Sequence, residues 1–164
     1  MKILITGGKS AAALKLLKAF ANDHILLADY GDMPSFASEA YQMHSLGERN
    51  DDTTAHNLLN NCLDENVDMI LPLHAFEIEA VSKSIVLFEE FGIRVLLPEI
   101  SSLNQYLDSG KFSGDWAIYQ DGSLLFSSNP SAEFNEALKT AGLNGAFYIR
   151  NNAKGPEPIL FTIN

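Results

Sequence analysis

Three features of the first hundred residues of this 164-residue chain predict a mixed α/β fold. Short apolar runs show no polar alternation, as expected of strands buried on both faces. Between them, apolar residues recur at i, i+3, i+4 and i+7, the spacing of a helix with one buried face. Three of the runs stop at glycine or proline, at Gly7-Gly8, Pro72 and Pro98. Strands covered on both faces by helices make a parallel sheet, and right-handed crossovers turn it into a Rossmann-like, doubly wound layer structure. After residue 100 the pattern changes to short paired strands, predicting a small C-terminal α+β (ββαββ) appendage. The expected organisation is a domain over residues 1–110 and an extension over 111–164.

The elements follow in order. Residues 2–6 form a strand that ends in the Gly7-Gly8 turn. Ala13, Leu16, Leu17 and Phe20 share one face of a helix over 10–22. Residues 24–29 form the second strand. Pro34 opens a short helical turn through residue 41, and 42–45 form a short third strand. Asp51 or Asp52 caps a helix over 53–65, whose buried stripe is Ala55, Leu58, Leu59, Cys62 and Leu63. Residues 67–71 are a strand stopped by Pro72. A helix over 75–91 buries Ile78, Val81, Ile85 and Phe88 and stops at Gly92, and 93–97 form a strand. A short helix is expected over 99–107. Asp121-Gly122 between apolar runs at 116–119 and 124–126 marks a hairpin. A helix over 131–141, strands over 146–150 and 159–163, and a polar loop over 151–158 complete the chain.

Composition narrows the function. With 11 basic and 21 acidic side chains the net charge is −10, which argues against nucleic acid or an anionic membrane as partner. The single cysteine excludes a disulfide framework within the chain and a multi-cysteine zinc site. No apolar run reaches the ~18 residues of a membrane span. The N-terminal apolar run is too short for a signal peptide, so the expected location is cytoplasmic.

The turn Thr6-Gly7-Gly8-Lys9-Ser10 is the first candidate site. A glycine turn between strand and helix puts backbone N–H groups at the carboxyl edge of the sheet, where a polar ligand can bind. A phosphate-binding P-loop does not fit, because its first glycine would fall on Ile3 inside the strand. A nicotinamide dinucleotide site is weakened by Ala11 and Ala13, which stand where short-chain dehydrogenases place glycines. Asp29, at the end of the second strand, could hold a ribose or simply be solvated. Gly8→Val is expected to obstruct a ligand at the turn while leaving the fold largely intact.

The second candidate follows the fourth strand, in Leu71-Pro72-Leu73-His74-Ala75-Phe76-Glu77-Ile78-Glu79. Glu77 either hydrogen-bonds a substrate over the sheet edge or stabilises the N-terminus of its own helix. Glu79 lies about 200° further round the helix, so both cannot face one ligand. His74 contacts a ligand, moves a proton, or is solvated. His24, His44 and His56 lack metal-ligand spacing, and Cys62 is read as a core thiol.

The order of these segments resembles the N-terminal part of ATP-grasp ligases. The resemblance rests on Ile3-Leu4-Ile5-Thr6-Gly7-Gly8-Lys9-Ser10-Ala11-Ala12-Ala13-Leu14, then Leu26-Leu27-Ala28-Asp29, Val67-Asp68-Met69-Ile70-Leu71-Pro72 with Glu77, and Gly92-Ile93-Arg94-Val95-Leu96-Leu97-Pro98. Together they look like the pre-ATP-grasp domain of carbamoyl-phosphate synthase large-chain-like and carboxylate–amine ligase proteins. Glu77-Ile78-Glu79-Ala80 is also similar to formate-dependent glycinamide ribonucleotide transformylases. The match covers about residues 1–111. It implies that Gly7, Gly8 and Glu77 shape part of an acceptor-substrate site; Lys9, Ser10, Asp29 and His74 are candidate ligand contacts from their own positions in the turn and at the strand ends. Asp108-Ser109-Gly110-Lys111 weakly resembles the Asp-Lys step into the ATP-grasp domain, stretched by two residues. Phe147-Tyr148-Ile149-Arg150 is similar to the strand whose terminal Lys touches phosphate. Lys111 and Arg150 would then be remnant nucleotide contacts.

The family's second lobe, with its Glu and Asn ligands for magnesium, would begin where the sequence ends at Asn164. Phosphoryl transfer needs those ligands. The resemblance therefore implies a stand-alone pre-ATP-grasp-like domain, not catalytic by itself, that binds a small polar ligand or a protein subunit at the carboxyl edge. The alternative is one half of a split ATP-dependent ligase, with ATP and magnesium held only once a partner completes the site. Its mark would be an exposed apolar patch on the C-terminal unit, such as an unpaired strand over 159–163, through which a homo- or hetero-oligomer could form. A small NAD(P)-binding oxidoreductase is the third reading.

Overall fold

The computed structural model describes residues 1–108, 114–129 and 142–164. The chain forms two compact units, one of Met1–Val95 with Thr162–Asn164 and one of Leu96–Phe161.

The first unit is a five-stranded sheet flanked in sequence by helices. Its strands are β1 (Lys2–Thr6), β2 (His24–Asp29), β3 (Tyr41–Ser45), β4 (Met69–Leu71) and β5 (Arg94–Val95). They lie in the order β3-β2-β1-β4-β5, and every neighbouring pair is parallel. Consecutive residues Ile3, Leu4 and Ile5 are all buried, as are Ile25, Leu26 and Leu27. Successive side chains point to opposite faces, so both faces of these central strands are covered. The helices are α1 (Ala11–Lys15), α2 (Thr54–Asp64), α3 (Ala75–Lys83) and α4 (Ile85–Glu90). α2 buries Ala55, Leu58, Leu59 and Cys62, four of the five residues of its predicted stripe, whereas Leu63 is exposed.

In the first unit three expected helices are altered, two of them by a serine hydroxyl. The helix over 10–22 holds α geometry only through α1, then tightens into a 3-10 helix, Leu16–Phe20, that buries Leu16 and Phe20. No helical turn forms over 34–41. There the Ser38 hydroxyl accepts from the N–H groups of Ala40 and Tyr41, and Ala37 bridges Gln42 antiparallel. Such local side-chain bonds offer the backbone an alternative to a helix. The helix over 75–91 is broken at Ser84, whose hydroxyl donates back to the Ala80 carbonyl at 3.0 Å, a bond that bends helices.

The second unit carries a four-stranded antiparallel sheet of β6 (Trp116–Gln120), β7 (Ser123–Ser127), β8 (Gly145–Asn152) and β9 (Gly155–Leu160). The strand order is β7-β6-β8-β9. Asp121 and Gly122 turn the β6–β7 hairpin with φ of 49° and 84°, as the Asp-Gly signal predicts. A 3-10 helix, Leu103–Gln105, replaces the longer helix expected over 99–107. The helix expected over 131–141 lies outside the described residues. The polar loop expected over 151–158 is instead a second hairpin, with Arg150 opposite Glu157 and Asn151 opposite Pro156. Pro156 and Pro158 read as loop signals, but β9 is an edge strand, where proline is tolerated. Among the described residues no helix is long and apolar enough to cross a membrane.

Candidate functional site

Parallel strands bring their carboxyl ends to one edge, so the residues that close β1, β2 and β4 meet there. Thr6 ends β1 and is fully buried; Asp29 ends β2 and is nearly so. His74 is the N-cap of α3, and Glu77 sits in that helix's first turn. Glu77 is 0% exposed. Its Oε1 accepts from the Thr6 hydroxyl at 2.6 Å and from the His74 backbone N–H at 3.1 Å, and its Oε2 accepts from the Tyr30 hydroxyl at 2.6 Å. The Thr6 oxygen in turn accepts from the Leu73 N–H at 2.7 Å. Asp29 Oδ1 accepts from the Tyr30 N–H at 2.9 Å and pairs with His74 Nε2 at 2.8 Å, while Oδ2 accepts from the Lys9 N–H at 3.1 Å. Tyr30 and His74 thus each bridge both carboxyl groups.

The surroundings push these groups in different directions. Burial raises Glu77 above the ordinary carboxylate range, against the hydrogen bonds from Thr6 and Tyr30. Burial also works to raise Asp29, but the bonds from His74, Tyr30 and Lys9 outweigh it and hold that carboxyl below the usual range. Tyr30 is raised by burial and by the charge of Glu77, so it stays a hydroxyl donor.

The glycine turn lies at the same edge. Gly7 has φ +73°, and an added Cβ would lie 2.1 Å from Cδ1 of Ile163. Ile163 reaches this place by backbone pairing: its N–H donates to the Leu73 carbonyl at 2.8 Å, and its carbonyl accepts from the Ala75 N–H at 2.9 Å. A Cβ on Gly8 would lie 2.9 Å from the Leu27 carbonyl carbon and 3.1 Å from the Ala28 nitrogen. Gly8→Val therefore strikes the backbone of β2, which corrects the expectation that the fold would tolerate it. Lys9 is exposed, and its ammonium donates to the Tyr30 carbonyl. Ser10 is the N-cap of α1, its hydroxyl accepting from the Ala12 N–H at 3.2 Å.

The structure brings Gly7, Gly8, Lys9, Ser10, Asp29, His74 and Glu77 to one edge. It adds Tyr30 and Arg49, and it gives contacts to Thr6 and Phe76, which stood in the two candidate stretches without a role of their own. The rings of Tyr30, His74 and Phe76 lie 5.1 to 5.7 Å apart, centroid to centroid. The Arg49 guanidinium carbon sits 3.6 Å above the Phe76 ring centre. Thr6 and Tyr30 were within reach of the sequence, since each stands where a strand of a parallel sheet closes. Arg49 carried no such signal, because the loop after β3 meets Phe76 only in three dimensions.

Arg150 is elsewhere, on β8, in ion pairs with Glu157 at 2.9 Å and Asp108 at 3.2 Å. Lys111 lies outside the described residues. His44 pairs with Asn61 at 2.8 Å. Cys62 is buried, and burial pushes its thiol up to about 12, as a core thiol requires. Among the described residues no group of three or more His, Cys, Asp or Glu is placed to hold a metal ion. Ile159, Leu160 and Phe161 are buried, and the first two pair with β8, so the exposed strand expected of a split ligase is not found over them. The chain matches no family model, and no curated protein sequence matches it.

Proposed function

We propose that the first unit is a Rossmann-like, pre-ATP-grasp-like binding domain, not catalytic by itself, that takes a small polar ligand at the carboxyl edge of its sheet. The strand order supports this. In β3-β2-β1-β4-β5 the chain reverses direction across the sheet between β1 and β4, and open parallel sheets bind ligands at that point. One observation carries the reading: Thr6, Asp29, His74 and Glu77, from both sides of the reversal, are joined in a single hydrogen-bonded network there. Glu77 is enclosed, so a ligand would sense it through Tyr30 and His74, which are partly exposed. In this reading Asp29 and Glu77 preorganise the site by engaging the donors of Tyr30 and His74, and Lys9, His74 and Tyr30 line it.

The test is an amide NMR titration with glycine, succinate, inorganic phosphate, ATP–magnesium and NADH. At least one probe should give saturable shifts at Gly8, Lys9, Tyr30 and His74 that Asp29→Asn weakens. Shifts confined to other residues, or none, would refute the reading. Hydrolysis of ATP by the chain alone would refute its non-catalytic part.

A further inference from the structure

Three aromatic rings form the partly exposed surface of this edge. Phe76 stacks on His74 at 5.1 Å with 26° between the planes, and Tyr30 is tilted against both. Behind them lie two buried carboxyl groups. Asp29 is tied to the ring of His74, and Glu77 receives its side-chain hydrogen bonds from two neutral hydroxyls, those of Thr6 and Tyr30. A guanidinium already rests on this surface, that of Arg49, centred over Phe76. It comes from an exposed loop, its side chain is 51% exposed, and its other partner is Asp51, itself exposed.

An aromatic face carries negative potential and attracts cations, and buried carboxyl groups behind it strengthen that field when ionised. The same carboxyl groups, with Asp51, repel anions. We propose that the Phe76 face is a binding site for a small molecule bearing a guanidinium or methylated ammonium group, and that Arg49 is its intramolecular stand-in. The proposal rests on the carboxyl edge being the ligand site, and it names the chemical class of the ligand. A tethered competitor weakens binding only modestly, because an exposed cation–π contact is itself weak. Removing it should expose the full affinity of the ring.

The test uses the full chain, with methylguanidinium and tetramethylammonium as cationic probes and phosphate and succinate as anionic ones. Shifts are followed at the Tyr30 and Phe76 rings. Arg49→Ala should bind the cations about two- to fivefold more tightly than the unaltered chain. Phe76→Leu, which keeps the apolar volume, should lose that gain when combined with Arg49→Ala. Equal affinity with and without Arg49, or cation binding that survives loss of the Phe76 ring, would overturn the proposal. If the anions shift these residues and the cations do not, the proposal falls while the edge remains a ligand site. If none of these probes shifts them, the proposal falls, and if glycine, ATP–magnesium and NADH are silent as well, the reading of the edge as a ligand site falls with it.

Discussion

Asp29 and Glu77 are carboxylic acids bridged by Tyr30 and His74 at one sheet edge, yet they contribute to stability with opposite dependence on pH. Asp29 is held below its ordinary range by donors from His74, Tyr30 and Lys9, after burial has pushed the other way. Its contribution is therefore present above that ordinary range and lost as pH falls through the depressed value. Burial raises Glu77, so the folded state keeps its proton longer than the unfolded chain does. Its contribution is full below the ordinary range and declines as pH rises through the raised value. In urea unfolding between pH 3 and pH 8, Asp29→Asn should flatten the loss of stability on the acid side. Glu77→Gln should instead abolish the decline as pH rises. Curves that stay parallel to the unaltered protein would show that neither group is perturbed. Asp29, His74 and Glu77 were legible as candidates because each stands beside a strand end. Their mutual satisfaction was not, since it depends on Tyr30, whose backbone serves one carboxyl while its ring oxygen serves the other.

At the scale of the elements, the glycine turn shows how one motif serves two ends. Gly7 supplies the positive φ that the strand-to-helix turn needs, whereas Gly8 lets the turn approach β2. The sequence made the turn legible, but not which glycine packs against what. Gly8→Ala should destabilise the fold by about 1–3 kcal/mol, the cost of overpacking against backbone that cannot yield like a flexible side chain. A chemical-denaturation midpoint equal to that of the unaltered chain would refute this. Helix existence was read well from apolar periodicity, and α2 buries its predicted stripe except for Leu63. Helix continuity was read poorly, because Ser38 and Ser84 redirect the backbone through hydroxyl bonds that periodicity does not register. The same limit explains β9: its two prolines signal a loop until the strand is known to lie at a sheet edge.

At the scale of the molecule, the chain leaves the second unit at Phe161, and Thr162–Asn164 belong to the first. Ile163 lies over Gly7 and pairs with the backbone on both sides of His74, so these residues form part of the candidate site. Ile163→Gly removes that side chain and should lower the stability of the first unit by about 1–2 kcal/mol. Hydrogen exchange at the Ala75 amide should accelerate with it, and unchanged exchange would show that the contact carries no stability. The sequence by itself determined the α/β class, the apolar strands, the Asp-Gly hairpin and the edge at which the candidate residues meet. These follow from local periodicity and turn chemistry, which neighbouring residues settle among themselves. Only the tertiary structure decided that Tyr30 joins two carboxyl groups, that Arg49 lies on Phe76, and that Ile163 packs over the glycine turn. Apart from the bond between Tyr30 and its neighbour Asp29, those contacts join residues 27 to 156 positions apart, and chain topology, not local preference, brings them together.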